Sequence, residues 1–347
     1  MTSIDNSQPN SSFWKNRRVL VSGGAGFIGS HLVEVLVHSG ARVRIADSFE
    51  NGSTDNIRRV AHEIDIMKAN LLDPSDCIEA CADMNMVLNL GAKVAGVAYN
   101  SLHSADMFHA NVRIGTNMLE ASRLTNVDRF LIVSSACVYG RNTSVPTPEA
   151  EGFFGDPEPS NLGYGWAKRV LELQGRLYAE QYGMKIAIVR PFNTYGPRDH
   201  FDVEFGHVIP SLIRKVIEGQ NPLVVWGDGT QTRSFVYVTD VVEGMLMALQ
   251  RNTSATPINL GSSEEISIGN LARLIKQLSS ANITIVFDTK MPSGQPRRCP
   301  DVSLAKDELG FQAETMLEDG IRQTIDWYRN SLNSGKQDAI AYSVREA

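Results

Sequence analysis

Residues 18–47 read RVLVSGGAGFIGSHLVEVLVHSGARVRIAD, and the glycines at 23, 26 and 29 constrain the fold more than any other feature of the chain. An aliphatic run leads into them, Ile28, Leu32, Val35 and Leu36 then recur at helical spacing, and VRIAD returns to strand composition. Strand, glycine turn, helix and strand make one βαβ unit, whose two strands are parallel. Glycines there permit a tight turn and close approach of backbone to a pyrophosphate, and the helix start supplies unpaired N–H donors with partial positive charge. Gly23, Gly26, Phe27, Ile28 and Gly29 are therefore expected to touch a dinucleotide. Asp47, 18 residues after Gly29 at the end of the second strand, is placed to accept hydrogen bonds from both hydroxyls of an adenosine ribose. It would repel a 2′-phosphate, so the expected cofactor is NAD rather than NADP. Arg42 and Arg44 on the same strand read as a solvated face.

Further strand candidates follow at MVLNLGA, RFLIVSSA and KIAIVRPFN, separated by the helical stretches ADMFHANVRIGTNMLEASRLT and GYGWAKRVLELQGRLYAEQYG. This alternation predicts an α/β protein with a doubly wound, parallel Rossmann-type sheet. After Pro191 the pattern loosens, with HVIPSLIRKVIEG, PLVVWGDG, SFVYVTDVVEGMLMALQ and SIGNLARLIKQLS scattered among Pro and Gly. That half reads as a smaller, mixed α/β substrate lobe. The expected divisions are a disordered arm over 1–14, a mainly NAD-binding domain over 15–191, a mainly substrate-binding lobe over 192–332 and a loose tail over 333–347. The chain is free to cross back between the lobes.

Composition narrows the partners. A formal net charge of −6 leaves no basic excess to hold a phosphate backbone, so nucleic acid is excluded, and any bound anion must be gripped locally. No apolar run approaches the ~20 residues that cross a bilayer, so no membrane partner is expected. The four cysteines, Cys77, Cys81, Cys137 and Cys299, lack disulfide or metal-site spacing, which fits a reducing cytoplasm. Cys77 and Cys81 lie four apart, as on one face of a helix. No pair of histidines has ligand spacing and no GxSxG elbow occurs, so neither a metal centre nor a serine hydrolase is expected.

Tyr164 and Lys168 in YGWAK share one helical face, downstream of Ser135 at the end of RFLIVSS. With GGAGFIG, NLGA, SSACVYG, RPFNTYGP and GDGTQTRSFVYVTDV in order, residues 17–330 resemble the extended short-chain dehydrogenase/reductase family, in its nucleotide-sugar epimerase and dehydratase branch. The resemblance implies that Tyr164 is the acid/base at a sugar hydroxyl, that Lys168 holds the nicotinamide ribose and lowers the tyrosine pKa, and that Ser135 hydrogen-bonds the reacting oxygen. A phenol of pKa ~10 is a poor base at neutral pH, and a neighbouring ammonium stabilises phenolate. The resemblance also puts Asn70 and Leu71 of KANLLD beside the adenine, although Asn70 stands where the branch often has Asp. It further implies a homodimer built on the two long helices.

Within the branch, GAKVAG, SSACVYG and FGHVIPSLIRK are most similar to GDP-L-fucose synthases, and SSAC-Y is shared with GDP-mannose 3,5-epimerases. That similarity assigns proton transfer to Cys137 and His207. A C4 ketone acidifies the hydrogens on C3 and C5, and inversion needs one group to remove a proton and another to return it on the opposite face. Thiol and imidazole, with ordinary pKa values of ~8.5 and ~6.5, suit that exchange. The plain alternatives are a packed thiol and a helix cap. The Asp–Glu pair typical of 4,6-dehydratases is replaced by Ala136 and Cys137, which disfavours that reaction. The proline of the fucose-synthase CIYP stretch is Gly140 here, and Asp47 suits retained NAD rather than NADPH.

The expectation is thus an NAD-dependent nucleotide-sugar epimerase, GDP-sugar favoured, acting at C3 and/or C5. Alternatives are an NADPH-dependent epimerase/reductase, a C4 epimerase or dehydrogenase, and a non-catalytic dinucleotide-binding scaffold. The substrate diphosphate should be gripped by Asn193, Arg233 and either Arg297 or Arg298, because guanidinium forks bind phosphate in bidentate fashion. Lys93 is a candidate sugar contact. His103, His109 and His200 receive no role.

Overall fold

The computed structural model of the protein describes residues 11–94, 96–201, 207–291 and 295–345. Along the chain run α1 (Ser11–Trp14), β1 (Arg18–Ser22), α2 (Phe27–His38), β2 (Arg42–Asp47), α3 (Thr54–Ile57), β3 (Asp65–Lys68), α4 (Pro74–Cys81) and β4 (Met86–Asn89). Next come α5 (Val97–Leu102), α6 (Ser104–Leu124), β5 (Arg129–Val133), α7 (Leu162–Tyr182), β6 (Lys185–Pro191), β7 (Thr194–Tyr195), α8 (Val208–Ile217), β8 (Leu223–Trp226) and β9 (Thr232–Ser234). The chain continues through β10 (Val236–Tyr237), α9 (Val238–Arg251), β11 (Ser254–Leu260), β12 (Glu265–Ser267), α10 (Ile268–Leu278), β13 (Ile285–Asp288), β14 (Arg297–Arg298) and α11 (Leu317–Arg345).

Seven strands form one all-parallel sheet in the order β11-β6-β5-β4-β1-β2-β3. The direction of winding reverses between β1 and β4, and in open α/β sheets the crevice at the carboxyl ends beside such a reversal is where ligands bind. Alternation along β1 sends Val19 and Val21 to one face, with α2 and α9, and Leu20 to the other, with α4, α6 and α7. Both faces are covered, which is why β4 is buried at every position. Cys77 and Cys81 both lie buried on the inner face of α4, whose start is set by Pro74 and by Asp73 accepting the Ser75 N–H.

A second core gathers Tyr195, Ile209, Ile213, Leu223, Leu271, Ile275, Ile321 and Ile325 from β7, α8, β8, α10 and α11. This smaller lobe carries the parallel pair β8–β13 and the three-stranded sheet β12-β9-β14. Helix α9 buries Val241, Val242, Met245 and Leu249 against the main sheet, and β11 extends that sheet, with Ile258 opposite Val189. The folded chain also starts earlier than the arm expected over 1–14: Trp14 is wholly buried in the main core, and residues 1–10 lie outside the described residues. Backbone of 333–345, expected as a loose tail, continues α11; residues 346 and 347 are outside the description. Among the described residues no helix is long and apolar enough to cross a membrane.

Candidate active site

The glycine turn is built by contacts that exclude side chains. Gly23 has φ +69°, and a Cβ on Gly29 would sit 2.1 Å from the Gly23 carbonyl oxygen, so the first turn of α2 closes onto the turn only with glycine there. A Cβ on Gly26, the residue before α2, would meet only that same oxygen, at 3.2 Å, leaving the space over the helix start open to a ligand. Asp47 is buried at the end of β2. Its Oδ2 accepts the Ala25 N–H at 2.9 Å and its Oδ1 accepts the Phe49 N–H at 2.9 Å, which locks the carboxylate to the turn. Each carboxylate oxygen keeps acceptor capacity for a ribose hydroxyl. A Gly-lined, N–H-rich cradle beside a fixed carboxylate fits the adenosine diphosphate half of NAD.

Leu71 packs against Gly91 after β4, where a Cβ would approach its Cδ1 to 2.4 Å, so it lines the neighbouring edge of the crevice. Asn70 is exposed and its Oδ1 accepts the Leu72 N–H at 3.1 Å, an internal use of the side chain. The loop after β4 is held by Asn111 of α6, which accepts the Lys93 N–H and donates to the Lys93 carbonyl, both at 3.0 Å. The Lys93 ammonium lies 5.6 Å from the centre of the Tyr99 ring.

Ser135 follows β5 in extended conformation and heads a short 3-10 turn, Ala136–Val138, its Oγ accepting the Cys137 N–H at 3.1 Å. That turn packs on α7 because Gly165 carries no side chain: a Cβ there would stand 2.4 Å from the Cys137 carbonyl oxygen. Tyr164 and Lys168 rise from the same helix, the Ser135 hydroxyl is near enough to the Tyr164 phenol to favour its ionised form, and Lys168 Nζ donates to the Val133 carbonyl at 2.8 Å while lying 5.5 Å from the centre of the Tyr164 ring. Burial pushes the phenol well up, the Cys137 sulfur pushes it further, and the Ser135 hydroxyl pulls it down. Burial lowers Lys168 to about 8, opposed by the negative charge available on Cys137 and Glu172. Cys137 is half-buried and close enough for its charge to act on both Tyr164 and Lys168.

Arg298 donates to the Ala136 carbonyl and stands in register with Arg233 on the parallel pair β14–β9. Burial, and then the positive charge of Arg298, lower Arg233 to about 10, which marks a place that favours an anion. Arg297 points elsewhere: it is bound in bidentate fashion to Glu265, at 2.5 Å from Nη2 and 2.9 Å from Nε to the two carboxylate oxygens, so of the two it is Arg298 that the fold brings to the site. Asn193 donates to the Ser234 carbonyl at 2.7 Å and ties the end of β6 to the arginine-bearing sheet. His207 is exposed just before α8, its Nδ1 3.4 Å from Asp199 Oδ1. Asp199, Asn111 and Glu172 were not anticipated from sequence. Among the described residues no cluster of three His, Cys, Asp or Glu could hold a metal.

A Gly-lined cradle with a fixed carboxylate at the end of β2, and a Ser–Tyr–Lys set after β5 and on α7, define a protein that binds a nicotinamide cofactor. The family model described as the NAD dependent epimerase/dehydratase family matches residues 19–261. UDP-N-acetyl-alpha-D-glucosaminuronate decarboxylase of Bacillus cytotoxicus is 34% identical over 91% of this chain and 99% of its own. Probable GDP-L-fucose synthase 1 of Oryza sativa subsp. japonica is 30% identical over 97% of this chain and 100% of its own. UDP-glucose 4-epimerase of Thermotoga maritima, solved with UDP-glucose, superposes with a TM-score of 0.83 at 29% identity, covering 91% of this chain and 99% of that one. The chain belongs to the NAD-dependent epimerase/dehydratase family.

Proposed function

We propose that the chain is a nucleotide-sugar epimerase that retains NAD and inverts C3 and/or C5 of its sugar through a 4-keto intermediate, with a GDP-sugar as the favoured substrate. The observation that carries the reading is the position of Cys137, held by the Ser135 turn against Tyr164 and Lys168. A C4 epimerase or dehydrogenase needs only the hydroxyl chemistry; a thiol packed into that cluster adds a second proton-transfer group. GDP is favoured on the likeness of GAKVAG, SSACVYG and FGHVIPSLIRK to GDP-L-fucose synthases, one of which is 30% identical over 97% of the chain.

Gly23, Gly26, Gly29 and Asp47 hold the cofactor, which when bound supplies reversible hydride acceptance at C4. Arg233 and Arg298 take the substrate diphosphate, which sets the sugar over Ser135 and Tyr164. Tyr164, as phenolate, takes the proton of the C4 hydroxyl while Ser135 bonds the same oxygen, and the Lys168 ammonium offsets the phenolate charge that exists before that transfer. With a ketone at C4, Cys137 and His207 take and return the proton of the adjacent carbon on opposite faces. Tyr164 then gives back its proton as the C4 alcohol is restored, so no net oxidation occurs.

Incubation of the NAD-loaded protein with GDP-, UDP-, dTDP- and CDP-sugars in deuterated water tests this by mass spectrometry. The reading expects non-exchangeable deuterium at C3 or C5 without consumption of cofactor. Inversion at C4 without deuterium would assign a C4 epimerase, and stoichiometric consumption of NADPH a reductase.

A further inference from the structure

We propose that Asn259 is a positioning residue that holds Arg298 and the turn from Ser135 to Tyr139 in one fixed relation. This rests on the reading that Arg298 takes the substrate diphosphate and that Ser135, Tyr164 and Lys168 serve hydride transfer at C4. Asn259 lies on β11 and is wholly buried, so its amide must find its partners within the protein. Nδ2 donates to the Thr147 carbonyl at 3.0 Å and to the Asp301 carbonyl at 3.1 Å, and Oδ1 accepts the Tyr139 hydroxyl at 2.5 Å. Two carbonyls on one side and a hydroxyl on the other decide which end of the amide faces which neighbour. Burial raises the Tyr139 phenol to about 12, so near pH 7 it keeps the hydrogen that it gives to Asn259.

The partners of Asn259 lead to different halves of the site. Asp301 stands three residues after Arg298, and backbone bonds lay that segment beside Thr147: the Thr147 N–H donates to the Cys299 carbonyl at 2.9 Å and the Asp301 N–H to the Thr147 carbonyl at 3.0 Å. On the other side, Tyr139 closes the turn that begins at Ser135 and contains Cys137. Its hydroxyl also accepts from Arg190 Nη1 at 2.9 Å. Arg190 stands opposite Asn259 in the register of β11 on β6 and is paired with Glu172, one turn after Lys168 on α7. Tyr139, Asn259 and Arg190 are all buried, so the chain of bonds is shielded from water. The Arg298 guanidinium reaches the same turn directly, at the Ala136 carbonyl. The segment bearing Arg298 is thus tied to the turn at both its side chain and its backbone. A sugar anchored by its diphosphate is set over Ser135 and Tyr164 only as accurately as that tie allows, and misplacement by about 1 Å can cost about a hundredfold in rate.

The test is a double-mutant cycle on the full chain loaded with NAD, using whichever of the GDP-, UDP-, dTDP- and CDP-hexoses the parent turns over fastest. Tyr139→Phe removes the hydroxyl that Asn259 accepts and keeps the ring; Asn259→Leu removes the amide at similar volume. Absorbance of the reduced cofactor in single turnovers at saturating sugar reads hydride transfer. In Tyr139→Phe, binding of NAD and of the matching nucleoside diphosphate should stay within about threefold of the parent, while hydride transfer slows about tenfold or more. Arg298→Met should slow that step about tenfold in the parent but no more than about twofold in Tyr139→Phe, because the anchor there no longer sets the sugar. Asn259→Leu should behave as Tyr139→Phe does; if it fails to bind NAD, Tyr139→Phe alone carries the cycle. A parental rate in Tyr139→Phe, or effects of the two substitutions that simply multiply, would overturn the role of Asn259 and leave the amide as packing. An Arg298→Met variant with parental affinity and rate would overturn the diphosphate assignment, and a parent that turns over none of the sugars the C4 chemistry, each taking this proposal with it.

Discussion

Replacing Glu172 by Gln removes one half of a wholly buried ion pair that backs the catalytic residues. Glu172 of α7 and Arg190 of β6 are 0% and 1% exposed, and they meet through two bonds, Nη2 to Oε2 at 2.7 Å and Nε to Oε1 at 2.9 Å. Ser134, next to Ser135, donates to the same Oε1 at 2.5 Å, so the pair also pins the end of β5 to the helix carrying Tyr164 and Lys168. Removing one member of a buried pair costs about 3–5 kcal/mol because the other charge is left without compensation. Gln keeps one acceptor, and Arg190 still donates to the Tyr139 hydroxyl and the Glu149 carbonyl, so the lower end, about 3 kcal/mol, applies. With a urea dependence of about 3 kcal/mol per molar for a chain of this size, the unfolding midpoint should fall by about 1 M. The double variant Glu172→Gln/Arg190→Met removes both charges and should recover most of that loss. A shift under about 0.3 M for the single variant, or a double variant as damaged as the single, would refute the reasoning.

Asp47→Ser removes the carboxylate opposite a 2′-phosphate, so the parental preference for NAD over NADP, measured by fluorescence titration of each, should narrow by about tenfold or more; a parent that binds NADP equally well would contradict the assignment. Arg298→Met should weaken binding of a nucleotide sugar by about 2 kcal/mol, as for loss of a charge-assisted bond, whereas Arg297→Met, whose partner is Glu265, should leave calorimetric affinity within a factor of about three. Leu173 and Leu177 lie exposed one turn apart on α7, and we expect them to meet a second copy of the chain. Sedimentation should show a homodimer that Leu173→Asp/Leu177→Asp dissociates, and a monomeric parent at micromolar concentration would sink this expectation.

Legibility in the sequence followed locality. The glycine turn, Asp47 and the Ser135, Tyr164 and Lys168 set are carried by short motifs whose spacing maps directly onto a turn or one helical face. Strand β3 has only exposed or half-buried residues, so DIMK shows no alternation to detect. The return of α9 and β11 to the main sheet is a long-range pairing that local patterns do not encode. Choosing between Arg297 and Arg298 was out of reach for a related reason: adjacent strand residues point to opposite faces, and which face is which depends on the register against β9. Asn111 did leave a signal, a polar residue among Met107, Gly115 and Met118 on the buried face of α6. Asp199 left none, being a single acid in an irregular turn.

The most direct test of the central claim compares Cys137→Ser with Tyr164→Phe in the NAD-loaded protein, using a nucleotide sugar on which the parent incorporates solvent deuterium. Positional mass spectrometry reads the exchange, and absorbance of the reduced cofactor reads hydride transfer at C4. If Cys137 moves a proton, Cys137→Ser loses deuterium at C3 and C5 while hydride transfer persists, and Tyr164→Phe loses hydride transfer itself. Parental exchange in Cys137→Ser would contradict the account and leave the thiol as packing beside a C4 enzyme.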